Sequence, residues 1–316
     1  MTAIRATNVT KSYAERQVLR GIDLAVPDGA IIALLGPNGA GKTSLVEILE
    51  GHRRRDGGEL QVLGYDPGSR SDFRRLRRQI GVVLQQTMLE PGLRVQELLR
   101  RQASYYHQPL DLPALISLLG LDDHATSPVR ALSGGLRRRL DIALALIGRP
   151  RVLFLDEPTT GLDPLSRRSI RQLVRDVRGE GTTVVLTSHD LEEVQELADT
   201  VHVLHGGVFV SEGSPDELIS ANGGLVRVQF ALSNGDPALL PAGATLVGDT
   251  VHYEVGDQAA LLAQLGVWAQ QQDVPLGQLR ITQPTLHDAY AALVTASPVP
   301  DAPPTTSSMI TTTGAK

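Results

Sequence analysis

Gly36-Pro37-Asn38-Gly39-Ala40-Gly41-Lys42-Thr43 is the stretch on which the reading turns. It fits the pattern G-x-x-x-x-G-K-[ST], and it stands between an apolar run, residues 31–35, and a helical run, residues 44–49. That strand-to-helix context is what the pattern needs to form a phosphate-binding loop. The glycines let the backbone curl so that its N–H groups face a phosphate, and the following helix N-terminus adds a favourable dipole. Lys42 can reach the β- and γ-phosphates of a nucleotide, and the Thr43 hydroxyl can ligate Mg²⁺. Chance supplies about 0.004 such matches in a chain of this composition, so an ordinary glycine-rich turn is a poor account of it.

Outward from the loop, residues 31–35, 80–84, 152–155 and 184–187 each read as a short buried strand bounded by turn residues. Strands separated by helical segments predict an α/β fold with a largely parallel, helix-covered sheet. Residues 4–26 read as shorter antiparallel strands. Between 86 and 150 the strand signal stops, and helical spacing over 95–106, 112–119 and 133–147 predicts a mostly helical insertion. Past residue 213, Ser214-Pro215 opens a short helix and Asn222-Gly223-Gly224 closes it. A second unit follows, with strands expected at 225–232, 250–255 and 279–282 and helices at 259–271 and 285–293. The expected division is therefore 1–220, 221–296 as a small α+β domain, and a Pro-, Thr- and Ser-rich tail, 297–316, expected to be disordered.

Composition narrows the function. Of 316 residues, 41% are hydrophobic and 21% charged, and the net charge of −5 makes general polyanion binding a poor fit. The chain has no cysteine, which removes disulfides, thiol catalysis and cysteine-ligated metals. No apolar run is long enough to span a membrane, and residues 1–20 lack a secretory pattern, so the expectation is a chain that is soluble in itself and cytoplasmic. Arginine clusters at 53–55 and 74–78 carry no interleaved aromatics and read as solvated faces, whereas the cluster at 137–139 belongs to the helix that follows Ser133.

Two further motifs bear on chemistry. Residues 152–157 form an apolar strand ending in Asp156-Glu157. Asp156 is placed for a Mg²⁺-directed carboxylate, and Glu157 for accepting a proton from an attacking water. Leu132-Ser133-Gly134-Gly135-Leu136 opens a helix. Ser133 is a good N-cap and the glycines expose N–H groups, giving either plain capping or a second anion site. Two phosphate sites in one chain make sense if the second serves a nucleotide held by another chain.

With these residues in place the chain resembles the ATP-binding subunit of an ATP-binding-cassette (ABC) transporter over residues 4–220. The phosphate loop, Gln85 after a strand, the Leu132 motif, Asp156-Glu157-Pro158, Gly161-Leu162-Asp163-Pro164 and Ser188-His189-Asp190 occur in the family's order. The resemblance implies a P-loop NTPase core with an antiparallel β subdomain and a helical subdomain. It implies ATP and Mg²⁺ as ligands. Tyr13 would stack on adenine, and Gly36, Asn38, Gly39, Ala40, Gly41, Lys42, Thr43 and Ser44 would hold phosphates. Gln85 would contact Mg²⁺ and the attacking water, with Thr43 and Asp156 as the other metal contacts. Glu157 would be the general base, His189 would contact the γ-phosphate, and Asp163 would communicate across a dimer. Ser133, Gly134 and Gly135 would close over the nucleotide of the opposite subunit. Leu136 replaces the family's usual glutamine. The ending at residues 283–290 is similar to that of ATPase subunits of drug, antibiotic and polysaccharide exporters, whose permease is a separate polypeptide. The resemblance thus implies a homodimer on the cytoplasmic face of the membrane, bound to a multi-span permease and not to nucleic acid. A soluble, non-transport ATPase of the same superfamily, acting on ribosomes, DNA or a scaffold, is the alternative.

Overall fold

The chain opens with two long strands, β1 (Thr2–Tyr13) and β2 (Arg16–Pro27), paired antiparallel. The sequence suggests shorter strands here because bulges interrupt the alternation: register shifts occur along the pair, and Asn8 takes a positive φ of 49°. Next come β3 (Ile31–Leu35) and α1 (Lys42–Glu50), and then β4 (Gly57–Val62), which pairs with β1 to complete a three-stranded sheet. These are seen in a computed structural model that describes residues 1–84, 89–232, 240–273, 276 and 278–296.

The main sheet is built from β3, β5 (Ile80–Val83), β6 (Val152–Asp156), β7 (Thr183–Thr187), β8 (Thr200–His205) and β9 (Val208–Gly213). Its order is β5-β6-β7-β3-β8-β9, parallel except for β9. Alternation along a strand sends neighbouring side chains to opposite faces. Accordingly Ile31, Ala33 and Leu35 enter one core, and Ile32 and Leu34 the other. Burial on both faces explains why these strands read as unbroken apolar runs. The first core is covered by α3 (Val95–Ala103), α4 (Leu112–Leu118) and α5 (Gly134–Leu146) of the insertion, with α6 (Pro164–Gly179) and α7 (Leu191–Leu197). The short α2 (Arg70–Leu76) precedes β5.

After α8 (Pro215–Asn222) the chain forms an antiparallel sheet of β10 (Val226–Ala231), β11 (Thr245–Val247), β12 (Thr250–Val255) and β13 (Arg280–Thr282), ordered β11-β12-β10-β13. One face packs on α9 (Gln258–Gln272) through Val228, Phe230, Val251, Tyr253, Leu261, Leu265 and Trp268. The last helix, α10 (Leu286–Ala296), leaves that core. Leu286 is buried in the first core of the large sheet, Tyr290 and Leu293 pack against it, and Gln195 of α7 accepts the Leu286 N–H at 3.2 Å. Residues 297–316 lie outside the described residues. No helix among the described residues is long and apolar enough to cross a membrane.

Candidate nucleotide site

Parallel strands end on the same edge of their sheet, so the segments that follow β3, β6 and β7 converge there. The segment after β3 is the phosphate loop. Two of its glycines are obligatory. A Cβ at Gly36 would lie 2.2 Å from the Leu204 carbonyl oxygen, and Gly41 has φ 109° with the Leu19 side chain 2.8 Å from its Cβ position. Gly41 caps α1 with no side-chain hydrogen bond, so the first N–H groups of α1, at Lys42, Thr43 and Ser44, are left for an anion. Lys42 Nζ donates to the carbonyls of Gly36 at 2.6 Å and Pro37 at 3.2 Å, which folds the ammonium back over the loop. Burial lowers its pKa, and the negative charges of Glu157 and Asp156 oppose that shift. Tyr13 comes to the same helix from β1, its hydroxyl 3.0 Å from Ser44 Oγ and its ring half-exposed under the Arg53 guanidinium, 5.2 Å from the centroid.

β6 ends at Asp156, opposite Thr187 of β7, and Thr187 Oγ1 donates to Asp156 Oδ1. Glu157 then breaks the strand with a left-handed φ of 47° while its N–H bonds back to the Thr187 carbonyl at 3.0 Å. A non-glycine residue in that region is strained, and such strain concentrates at functional sites. The kink carries the Glu157 side chain to the loop after β7, where its Oε1 lies 3.4 Å from His189 Nδ1. Thr160 Oγ1 donates to Oε2 at 3.1 Å. Gln85 lies outside the described residues.

The glycines of the second motif sit elsewhere. Ser133 caps α5, its Oγ accepting the Leu136 N–H at 3.3 Å. Gly135 packs tightly on α6, and a Cβ there would lie 2.4 Å from Ser166 Oγ. Ser166 also donates to Asp163, the N-cap of α6, at 2.6 Å, and this bond with the neighbouring N–H groups holds the Asp163 carboxyl below the usual range. Ser133, Gly134 and Asp163 are exposed. The structure therefore gathers Tyr13, residues 36–44, Asp156, Glu157 and His189 in one place, and the Ser133 motif with Asp163 in another.

One contributor is not evident from spacing. Arg138, 8% exposed on α5, donates from all three guanidinium nitrogens to backbone carbonyls of Leu84, Asp156 and Pro158. These belong to the ends of β5 and β6 and to the loop after Glu157. Burial lowers its pKa, while surrounding carboxylates oppose the shift. The family resemblance implies that some arginines of the 137–139 run interact with the nucleotide-binding region, but the spacing does not say which one.

A family model described as ABC transporter matches residues 19–160. A daunorubicin resistance ATP-binding protein of Streptomyces coeruleorubidus is 36% identical over 305 residues, covering 92% of this chain and 96% of that protein. The chain belongs to the ATP-binding proteins of ABC transporters. A Nod factor export ATP-binding protein of Ralstonia nicotianae is 38% identical, covering 81% of this chain and 82% of the relative. Among solved structures, an ATP-binding subunit of an ABC transporter superposes with a TM-score of 0.63 at 25% identity, covering 69% of this chain and 92% of its own. A dimeric ATP-binding cassette in a post-hydrolysis state with ADP and phosphate bound superposes at 0.61 and 25% identity, covering 67% and 98%. The cassette described above is an ATPase, and ATP is the nucleotide it binds.

Proposed function

We propose that this cassette is the ATP-hydrolysing subunit of an exporter of the drug, antibiotic or lipid and polysaccharide type, acting on a separate permease. The observation that carries the reading is the convergence of Lys42, Asp156, Glu157 and His189 on one edge of the parallel sheet. The export direction is supported by relatives named for daunorubicin resistance and Nod factor export. In this reading the cassette docks peripherally on the cytoplasmic side of the membrane. The groove between core and insertion, lined by His52, Phe73, Arg77, Gln102 and Tyr106, would face the permease.

Two copies pair head to tail, so that each ATP lies between the phosphate loop of one and Ser133 and Gly135 of the partner subunit. Exposure of Ser133, Gly134 and Asp163 supports this arrangement. Tyr13 stacks on the base, residues 36–44 hold the phosphates, and Lys42 exchanges its two carbonyl partners for phosphate oxygens. The oxygen donors Thr43 and Asp156, with Gln85, fit Mg²⁺, which needs only one or two carboxylates beside substrate phosphates. Once bound, Mg²⁺ offsets charge on the phosphates. Glu157 accepts the proton of the attacking water, and His189, beside it, orients the γ-phosphate. Nucleotide-driven closing moves the permease because its two states bind ATP with different affinity.

The test is Glu157→Gln, which should bind ATP, dimerise and lose turnover by about 10²-fold or more. Trapped with ATP and recovered from detergent-solubilised host membranes, it should bring along a multi-span membrane protein. Recovery of ribosomal proteins or DNA-bound factors instead would place the chain with the non-transport ATPases. Normal turnover in this variant would remove Glu157 from the base role.

A further inference from the structure

α7 begins at Leu191, two residues after His189, and in its first turn it directs Glu193 inward, with no exposed surface. A carboxyl group taken wholly out of water is costly unless hydrogen bonds replace its hydration. Here one oxygen receives them. Glu193 Oε2 accepts from Thr159 Oγ1 at 2.9 Å and from Ser188 Oγ at 2.6 Å. Oε1 has no hydrogen-bond partner among the described residues. Burial pushes the carboxyl above its usual range, and the two hydroxyls oppose that shift.

The identity of the donors is what matters. Thr159 stands two residues after Glu157, and Ser188 immediately precedes His189. Both donors are buried, at 3% and 4% exposure. Ser188 Oγ also accepts the Asp190 N–H at 3.0 Å, so this hydroxyl is held from two sides. An apolar side chain of similar volume would fill the same space without leaving a buried oxygen unpaired, so stability alone is a poor reason for a glutamate here. The bonds it makes join the two loops whose tips bring Glu157 and His189 to 3.4 Å.

We propose that Glu193 is a positioning residue for ATP hydrolysis: its Oε2 ties the loop behind Glu157 to the loop carrying His189 and so sets the spacing of the two groups at the reacting phosphate. This rests on the roles given above to Glu157 and His189. Misplacing a reacting group by about 1 Å costs on the order of 10²-fold in rate, while the phosphate loop, which sets nucleotide affinity, is untouched.

The experiment is steady-state ATP hydrolysis and equilibrium ATP binding by the full chain and its Glu193→Met and Glu193→Gln variants. Turnover is expressed per ATP-binding molecule. Glu193→Met should lower kcat by about 10- to 100-fold with ATP affinity within about twofold. Glu193→Gln keeps an acceptor oxygen and should recover kcat to within about threefold. A lowered Tm with unchanged kcat per binding-competent molecule would mean a structural role and overturn the proposal. Equal losses in the two variants would overturn it too. Should Glu193→Met fail to fold, Thr159→Val removes one donor and should lower kcat several-fold at unchanged affinity, and an unchanged kcat would count against the bridge. Glu157→Gln, assayed alongside, separates the two readings. Normal turnover there refutes the base assignment, whereas an inactive Glu157→Gln beside a fully active Glu193→Met refutes only the positioning role.

Discussion

Lys42, Asp156, Glu157 and His189 converge at one edge of the six-stranded sheet, whereas Arg227, Gln229, His252 and Glu254 are spread over a face of the four-stranded one. The larger sheet is buried on both faces, so polar groups are forced to the strand ends, and parallel strands place those ends together. The smaller sheet is antiparallel and buries only alternate residues. Its polar positions face away from α9, where Arg227 meets Glu254 of β12 at 3.7 Å and Asp288 of α10 at 2.7 Å. Among the described residues no group of three or more His, Asp and Glu is arranged to hold a metal ion. Crowding of polar groups at a buried edge creates chemistry, and spreading them over a wet face dissipates it.

Removing the cation at the crowded edge is the severest test of that contrast. Lys42→Ala keeps every glycine of the loop but takes away the ammonium that sits in the field of Asp156 and Glu157, with its bonds to the Gly36 and Pro37 carbonyls. Loss of a charged donor to a phosphoryl group should lower kcat/KM by about 10²- to 10³-fold. A decrease of less than about tenfold would mean that the converging charges do not act on the substrate. The next effect should fall on stability and arise where α10 of the C-terminal unit enters the larger core. Leu286 is 1% exposed in the core of the larger sheet. Leu286→Ala should cost about 2–3 kcal/mol, read as a lower denaturation midpoint of the whole cassette. If only the small sheet unfolds earlier while the ATPase part keeps its midpoint, α10 does not brace the larger core.

The crowded edge was also the part most legible in the sequence. Phosphate-loop spacing, the acidic pair after 152–155 and the histidine after 184–187 are local patterns, and doubly buried strands announce themselves as apolar runs. What local pattern does not specify is contact between distant segments. Arg138 reaches Leu84 across 54 residues, and nothing in an arginine triplet says which member turns inward. Glu193 follows Glu192, and only the packed helix decides that the second of the pair is buried. The final helix, expected from its own apolar spacing, gives no hint at sequence level that it abandons its neighbours to pack on α7 and α8. β1 and β2 were legible in type and direction, but their bulges disguised their length.

The smallest effect should come from the dispersed face. Arg227 donates to Asp288 from a side chain that is 56% exposed, and so joins β10 to the helix anchored by Leu286. Exposed ion pairs contribute about 0–1 kcal/mol, screened further by salt. Arg227→Met should therefore shift the denaturation midpoint slightly and leave ATP turnover within about twofold. The pH dependence adds a second reading. Thr285, through its hydroxyl and its N–H, is the chief cause of the lowered pKa of Asp288, and Arg227 is a lesser one. A depressed carboxyl contributes stability that is complete above its unfolded pKa of about 3.9 and is lost as pH falls through the folded value. Because the Thr285 bonds survive in Arg227→Met, its stability should decline with acid over nearly the same range as the parent. Thr285→Val should move that decline to higher pH by a larger amount. If Arg227→Met instead shifts the acid limb more than Thr285→Val, or lowers the midpoint more than Leu286→Ala, the ion pair and not the buried leucine holds the small sheet to the ATPase. The contrast between a crowded edge and an inert face would then have to be abandoned.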